Sequence, residues 1–140
     1  MEILNRKARF NYFIIDEIEA GIELKGTEIK SIRNGRASIE DAYARIKNRE
    51  VFLTNMFIAK YEEGNRFNHD ERRERKLLLH KSEIVKLSKK LEIDNYTLVP
   101  LKLYFKKNHA KILLGLCKGK KLYDKRETIK KRDLERENRY

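Results

Sequence analysis

One stretch of this chain, residues 82–93, has the apolar spacing of an amphipathic helix. Ile84, Leu87 and Leu91 recur there at helical intervals, and Ser82 stands where an N-cap residue is expected. The other apolar residues fall mostly in short runs that alternate with polar ones, which is the pattern of half-buried strands. One clear helix among many short strands predicts a mainly β fold.

The predicted strands are short and are separated by turn residues. They cover 10–19, 42–48, 51–58, 96–105 and 111–117. Residues 22–33 read as a further strand that bends at Gly26. We predict a small closed antiparallel β-barrel, OB-like, with one main α-helix and short helical turns.

Local signals indicate how these strands connect. Pro100 has no N–H for a ladder and belongs at an edge or a bulge, and residues 60–76 predict a charged loop. Three further sites predict connections: a turn at Ala20-Gly21, a short helical turn between Ser38 and Asp41, and a tight strand connection at Asn48-Arg49.

The composition changes abruptly after Cys117. Residues 119–140 hold nine Lys or Arg and five Asp or Glu, with apolar residues too few and scattered for a continuous face. We therefore predict a folded domain over 1–118 and a basic C-terminal tail over 119–140. The tail is expected to be disordered when free.

The charge balance points to a polyanionic partner. The chain has 34 Lys and Arg against 22 Asp and Glu, a formal charge of +12, which favours nucleic acid. No apolar run approaches the roughly 18 residues of a spanning helix, and the opening MEILNRKARF lacks the apolar stretch of a signal peptide. We expect no membrane association and a cytoplasmic location, which the single Cys117 also fits.

Catalytic signals are weak. His69, His80 and His109 are scattered, and Cys117 ends an apolar strand, so we expect no metal, no cofactor and no nucleophile. Two-metal nucleases gather carboxylates, but no paired motif accompanies those found here. The carboxylates around the first hairpin are Asp16, Glu17, Glu19, Glu23 and Glu28.

Basic clusters recur at predicted loops and element ends, where recognition residues usually lie. With aromatic residues such as Tyr12, Tyr43 and Tyr104 on the strands, they predict an RNA-binding barrel surface. The clusters are NRK at 5–7, KSIRNGR at 30–36, RRERK at 72–76 and KK at 106–107. Their candidate RNA-binding residues are Arg6, Lys7, Lys30, Arg33, Arg75 and Lys76.

Longer stretches resemble one family. NRKARFNYFI, EAGIELKGTEIKSIRNG, GNRFNHDERRERKLLLHKSEI, TLVPLKLYFK and GKKLYDKR occur in the order found in the SmpB family, the SsrA-binding proteins. The resemblance covers nearly the whole chain. It implies an OB-type barrel, with no enzymatic activity, that binds the tRNA-like domain of transfer-messenger RNA. Such proteins deliver that RNA to stalled ribosomes together with elongation factor Tu, and we expect a monomer.

The resemblance also implies particular RNA contacts. Asn5, Glu19 and Leu78 match family positions that contact RNA. A carboxylate can accept hydrogen bonds from base or sugar donors but needs a neighbouring cation, for which Lys7, Lys30 and Arg75 are candidates. Leu78 is kept because three consecutive leucines on a strand cannot all face inward.

For the tail, the resemblance implies entry into the empty messenger-RNA channel at the decoding centre, where it becomes helical. Glu127–Lys131 and Glu135–Arg139 are i,i+4 pairs that support such a helix. Gly119 is expected to act as a swivel and Tyr123 to stack on a base. The residues expected to engage the ribosome are Gly119, Lys120, Lys121, Tyr123, Asp124, Lys125 and Arg126.

Two other functional classes fit the composition. A basic OB-like component of the ribosome, or a general RNA-binding module, requires only the charge and the barrel. A nuclease requires that the carboxylates of the first hairpin converge on metal ions. The two differ in whether RNA is bound or cleaved.

Overall fold

The computed structural model describes residues 1–63, 68–93, 95–120 and 126. Nine strands and three helices follow one another in these ranges. They are β1 (Glu2–Leu4), α1 (Ala8–Asn11), β2 (Tyr12–Ile22), α2 (Gly26–Arg33), β3 (Ala37–Ser38), β4 (Tyr43–Lys47), β5 (Glu50–Thr54), β6 (Phe57–Ile58), β7 (Arg75–Leu78), α3 (Lys81–Ile93), β8 (Thr97–Lys106) and β9 (His109–Gly119).

The main sheet is antiparallel and returns on itself. Its strand order is β1-β8-β4-β5-β7-β2-β9, and β9 also pairs with β8, so six strands form a ring with β1 added alongside β8. Strands β3 and β6 make a separate pair. The prediction of a mainly β, antiparallel fold with one main helix is confirmed.

The ring encloses the main core. Leu53, Leu98 and Leu114, from three different strands, are fully or almost fully buried within one hydrophobic cluster. Helix α3 adds Ile84 and Leu87 to that cluster, as its apolar spacing predicted. These contacts fix the strands rigidly, so the residues on the outer face of the ring have defined positions.

Helix α3 matches the predicted range 82–93 but begins one residue earlier, at Lys81. The predicted N-cap is therefore wrong, because Ser82 lies inside the first turn. Instead, Glu83 Oε1 accepts a hydrogen bond from the backbone N–H of His80 at 3.0 Å. That contact satisfies one of the N–H groups left free at a helix start.

The predicted bent strand over 22–33 is wrong, because Gly26–Arg33 forms helix α2. At its start, Glu28 Oε1 accepts from the Lys25 N–H at 2.8 Å. At its end, Gly35 has φ +73° and the N–H of Arg36 bonds to Ser31 O at 2.9 Å, which is a Schellman closure. Both helix ends are thus satisfied within this short segment.

The turn predicted at Ala20-Gly21 is also wrong, because β2 continues through it to Ile22. Its two ends have different partners: most of β2 pairs with β9, and Gly21 and Ile22 also pair with β7. The helical turn predicted between Ser38 and Asp41 is replaced by the end of β3 and a turn in which Ala42 N bonds to Ile39 O.

Two other local predictions are confirmed. The β8–β9 register shifts between Pro100 and Lys102, so the proline lies at an irregularity of the ladder. Asn48 and Arg49 have φ of 51° and 63° and join β4 tightly to β5. Left-handed backbone at both positions matches the twist of the flanking strands.

A buried ion cluster fastens α2 to the ring. Glu28, fully buried, accepts from Arg75 Nε at 2.5 Å and from Arg73 Nη2 at 2.5 Å. Arg75 is itself fully buried and also donates to Met56 O at 2.7 Å. Burial raises the pKa of Glu28, but hydrogen bonds from Arg73, the Lys25 backbone and Arg75 outweigh it, so the pKa is lowered.

Candidate nucleic-acid interface

The outer face of β7, β2, β9 and β8 brings together residues from distant parts of the sequence. Leu78 pairs with Gly21, Gly21 with Lys111, and Lys111 with Tyr104, so these four positions form one row across four strands. Glu19 lies two residues from Gly21 along β2 and therefore on the same side of the sheet. We call this set, with Lys106, the outer face.

Glu19 is held on the outer face by a tyrosine and two lysines. The Tyr104 hydroxyl donates a hydrogen bond to Glu19 Oε2, and Lys106 Nζ lies 3.6 Å from Oε1. The hydrogen bond from Tyr104 is the largest influence on the pKa of Glu19, which is lowered, and the charges of Lys106 and Lys111 also lower it. Burial and the Glu19 carboxylate raise the pKa of Tyr104 to about 12. Glu19 is thus an ionised acceptor.

The cations proposed from sequence as neighbours of Glu19 have other partners. Lys7 Nζ lies 3.9 Å from carboxylate oxygens of Glu40 and Asp41. Lys30 lies over the Tyr61 ring, 5.2 Å from its centroid. The side chain of Arg75 is buried against Glu28 and has no surface for RNA, so its role is structural.

Leu78 faces outward, as its place in a run of three leucines predicted. Its side chain is 47% exposed, whereas the preceding Leu77 is buried in the core. Gly21 lies opposite and presents no side chain. A Cβ there would approach Leu78 Cβ to 3.2 Å, so glycine leaves Leu78 its position on the outer face.

Asn5 is buried where β1 leads into α1. Its Nδ2 donates to Pro100 O at 2.8 Å, and its backbone N–H donates to Leu101 O at 2.9 Å. These bonds fasten the N-terminal segment to β8. Arg6 and Arg9 line an adjoining cleft of about 510 Å³ that also reaches Lys102.

Arg33 is exposed and Lys76 is partly exposed. The Arg33 guanidinium stacks over Phe105, with 4.3 Å from Cζ to the ring centroid, which places it beside the end of β8. Lys76 is on β7, two residues before Leu78, and pairs with Glu50 at 3.2 Å.

Lys111 was not among the residues predicted from the sequence, because no local pattern links it to Glu19.

The start of the tail is attached to α1. Strand β9 extends to Gly119, which pairs with Tyr12, so Gly119 belongs to the sheet. The Lys120 N–H donates to Asn11 O at 2.9 Å, and Lys120 Nζ donates to Arg9 O at 2.9 Å. Arg126 is an exposed helical residue. Four of the tail predictions lie outside the described residues: Lys121, Tyr123, Asp124 and Lys125.

The carboxylates that the predicted first hairpin would have gathered have different partners, since that hairpin does not form. Asp16 pairs with Lys90 of α3 at 3.4 Å, Glu19 with Tyr104, and Glu28 lies in the core. Within the described ranges, no group of three or more His, Cys, Asp or Glu is placed to hold a metal ion. The arrangement does not resemble a two-metal nuclease site.

Both ring nitrogens of His69 also have partners within the protein. It is buried, with Nδ1 2.8 Å from Thr27 Oγ1 and Nε2 2.9 Å from Ile58 O. The carbonyl can only accept, so Nε2 carries the proton and His69 bridges α2 to β6.

As to membranes, no helix in the part of the chain that the structure describes is long and apolar enough to cross one.

Cys117 is buried, and burial, followed by the charge of Glu17, raises the pKa of its thiol from 9.0 to about 11. At pH 8 we expect iodoacetamide to alkylate Cys117 roughly a hundredfold more slowly in the folded protein than in the urea-unfolded chain. The reason is that the thiolate is the reactive form, and its fraction at this pH is about a hundredfold lower in the folded protein. A mass-spectrometric time course measures both rates. Equal rates would contradict the burial.

Comparison with known proteins decides the family. The family model described as SmpB protein matches residues 2–140. The chain belongs to the SmpB family. This SmpB-family chain is 59% identical over 133 residues to the SsrA-binding proteins of Staphylococcus aureus (strain Newman) and Staphylococcus saprophyticus. Each match covers 95% of the chain and 86% of the relative.

The fold of the SmpB-family chain also matches a solved structure, "tmRNA-SmpB: a journey to the center of the bacterial ribosome". The TM-score is 0.72 at 50% sequence identity, over 86% of this chain and 85% of that one.

Proposed function

We propose that this protein binds the tRNA-like domain of transfer-messenger RNA and delivers it to stalled ribosomes for trans-translation. The observation that carries this is the 59% identity with SsrA-binding proteins over almost the whole chain. The match to tmRNA-SmpB in the ribosome supports the same assignment. The formal charge of +12 suits a protein whose partners are both RNA-rich.

The outer face is our proposed RNA-binding surface, on a barrel of OB type. Glu19 and Leu78 lie within the outer face, and Lys76 borders it. Arg33, over the Phe105 ring, would add charge near the end of β8. Asn5 is buried and would contribute indirectly, because its hydrogen bond to Pro100 O holds the segment that carries Arg6 and Lys7. Lys30 would add charge from α2.

The protein is proposed to act as a monomer, without catalysis of its own, in the cytoplasm where translation takes place. Elongation factor Tu would travel with the delivered complex. The tail, from Lys120 onward, would occupy the empty messenger-RNA channel, with Lys121, Tyr123 and the DKR motif of Asp124, Lys125 and Arg126 contacting the small subunit. Twenty residues of helix would extend roughly 30 Å, enough to lie along the channel.

A binding titration tests this function. The protein is titrated against the isolated tRNA-like domain, an elongator tRNA and a plain RNA duplex at several salt concentrations. We expect preference for the tRNA-like domain to persist as salt rises, because general attraction to phosphate falls steeply with salt and treats the three RNAs alike. Equal binding to all three would instead indicate a general RNA-binding module.

A further inference from the structure

The contact between Tyr104 and Glu19 spans three strands. Glu19 is on β2 and Tyr104 on β8, with β9 between them, so the tyrosine side chain reaches over β9 to donate its hydroxyl to Oε2. Lys106 approaches the other carboxylate oxygen at 3.6 Å. Each oxygen therefore has one neighbour, but Lys106 is mostly exposed, so the hydrogen bond from Tyr104 is the contact that orients the carboxylate.

The ring of Tyr104 has a further neighbour, Lys102, on the same strand. Lys102 Nζ lies 5.2 Å from the centroid of this ring and also pairs with Glu2 Oε1 at 2.9 Å. A row of contacts thus runs from β1 through β8 to β2. A surface glutamate normally samples many rotamers and loses that freedom when it binds a partner. Here the row restricts Glu19 before any partner arrives.

A fixed anion on a basic surface selects among the groups that RNA presents. It repels phosphate oxygens and can only accept hydrogen bonds, so it favours a nucleotide that offers N–H donors, such as the amino groups of cytosine, adenine and guanine. An ionised carboxylate also forms stronger hydrogen bonds than a neutral acceptor. The surrounding lysines attract RNA generally, whereas Glu19 discriminates.

We propose that Tyr104 is a positioning residue that holds Glu19 as an oriented acceptor for a base N–H donor of the bound RNA. This role rests on the proposed function, because it concerns the specificity of that same surface. Tyr104 acts through Glu19 and supplies none of the RNA contact itself. Its removal weakens discrimination between RNAs and leaves the attraction to phosphate unchanged.

A double-mutant cycle tests the role. Tyr104→Phe keeps the ring under Lys102 and removes only the hydroxyl. In the wild-type background we expect it to weaken binding to the tRNA-like domain about tenfold, which corresponds to the loss of one hydrogen bond to a charged group. The salt dependence of the affinity should stay the same, and binding to elongator tRNA should be unchanged. In a Glu19→Ala background, which has no side-chain acceptor at this position, we expect Tyr104→Phe to have no further effect.

Tyr61→Phe is the matched control. The Tyr61 hydroxyl donates to Glu63 Oε2 at 2.9 Å, so this substitution removes a tyrosine–glutamate hydrogen bond away from the outer face. We expect its affinity for the tRNA-like domain to equal that of the wild type. Thermal unfolding of all variants checks that each is folded.

Two results would overturn the role. An unchanged affinity of Tyr104→Phe would show that the hydroxyl does not position Glu19 for RNA. An equal loss with and without Glu19 would show that Tyr104 acts independently. If the wild-type chain itself showed no preference for the tRNA-like domain, the proposed function would fail first, which the same titrations reveal separately.

Discussion

Replacing Glu28 with alanine is expected to lower the free energy of unfolding by about 3–5 kcal/mol, because it leaves a buried charge without its partner. Arg75 is fully buried and Arg73 is three-quarters buried, and both donate to the Glu28 carboxylate. A domain of this size is typically stable by about 5–15 kcal/mol. The substitution would therefore remove a large share of the total stability.

Urea denaturation measures the effect as a lower midpoint with an unchanged slope. Glu74→Ala is the control: Glu74 Oε2 lies 2.9 Å from Arg45 Nη2, but both side chains are partly exposed. Pairs of that kind contribute at most about 1 kcal/mol. A similar loss for both variants would show that burial of the Glu28 cluster does not set its contribution.

The same cluster predicts an acid dependence. The pKa of Glu28 is lowered in the folded protein from its ordinary 4.5, so folding favours the carboxylate. Its stabilising contribution is fully present above about pH 4.5 and is lost as the pH falls through the lowered folded pKa. Between those values the unfolding free energy of Glu28→Ala should fall less steeply with acid than that of the wild type.

Removing residues 121–140 is expected to abolish peptide tagging and leave binding to the tRNA-like domain unchanged. The cut is placed after Lys120 because Gly119 pairs with Tyr12 and Lys120 bonds to Asn11 and Arg9. Ending the chain there keeps the end of β9 intact. Binding by the outer face and engagement of the ribosome are then tested as separate functions.

Tagging is measured by translating a message without a stop codon in a reconstituted system and following the tagged peptide. A chain with the order of residues 121–140 scrambled serves as the control, because it keeps the tail charge and loses its sequence. If the scrambled tail restored tagging, charge alone would be sufficient. Loss of RNA affinity on truncation would contradict the proposed division between domain and tail.

Features that depend on neighbouring residues could be predicted from the sequence. Helix α3, the tight β4–β5 connection at Asn48-Arg49 and the irregularity at Pro100 each follow from side chains a few residues apart. Helix α2 could not, because the alternation of Ile22 and Leu24 just before it favours a continuing strand. The burial of Glu28 depends on Arg73 and Arg75, 45 and 47 residues away.

The site shows the same limit. The outward position of Leu78 follows from a run of three leucines on a strand, and the structure confirms it. The partner of Glu19 does not follow from local pattern, because Tyr104 is 85 residues away and meets it only once β9 lies between β2 and β8. Strand pairing over such distances is a property of the whole fold.

The attachment of Lys120 to α1 fixes the distance between the outer face and the start of the tail. The outer face and the point where the tail begins belong to one hydrogen-bonded sheet, so the separation between them is set by the strands. Each residue inserted after Lys120 would lengthen the extended tail by up to about 3.6 Å without moving the outer face. The reach of the tail would thereby be adjustable by chain length alone, while the proposed RNA-binding surface would keep its position.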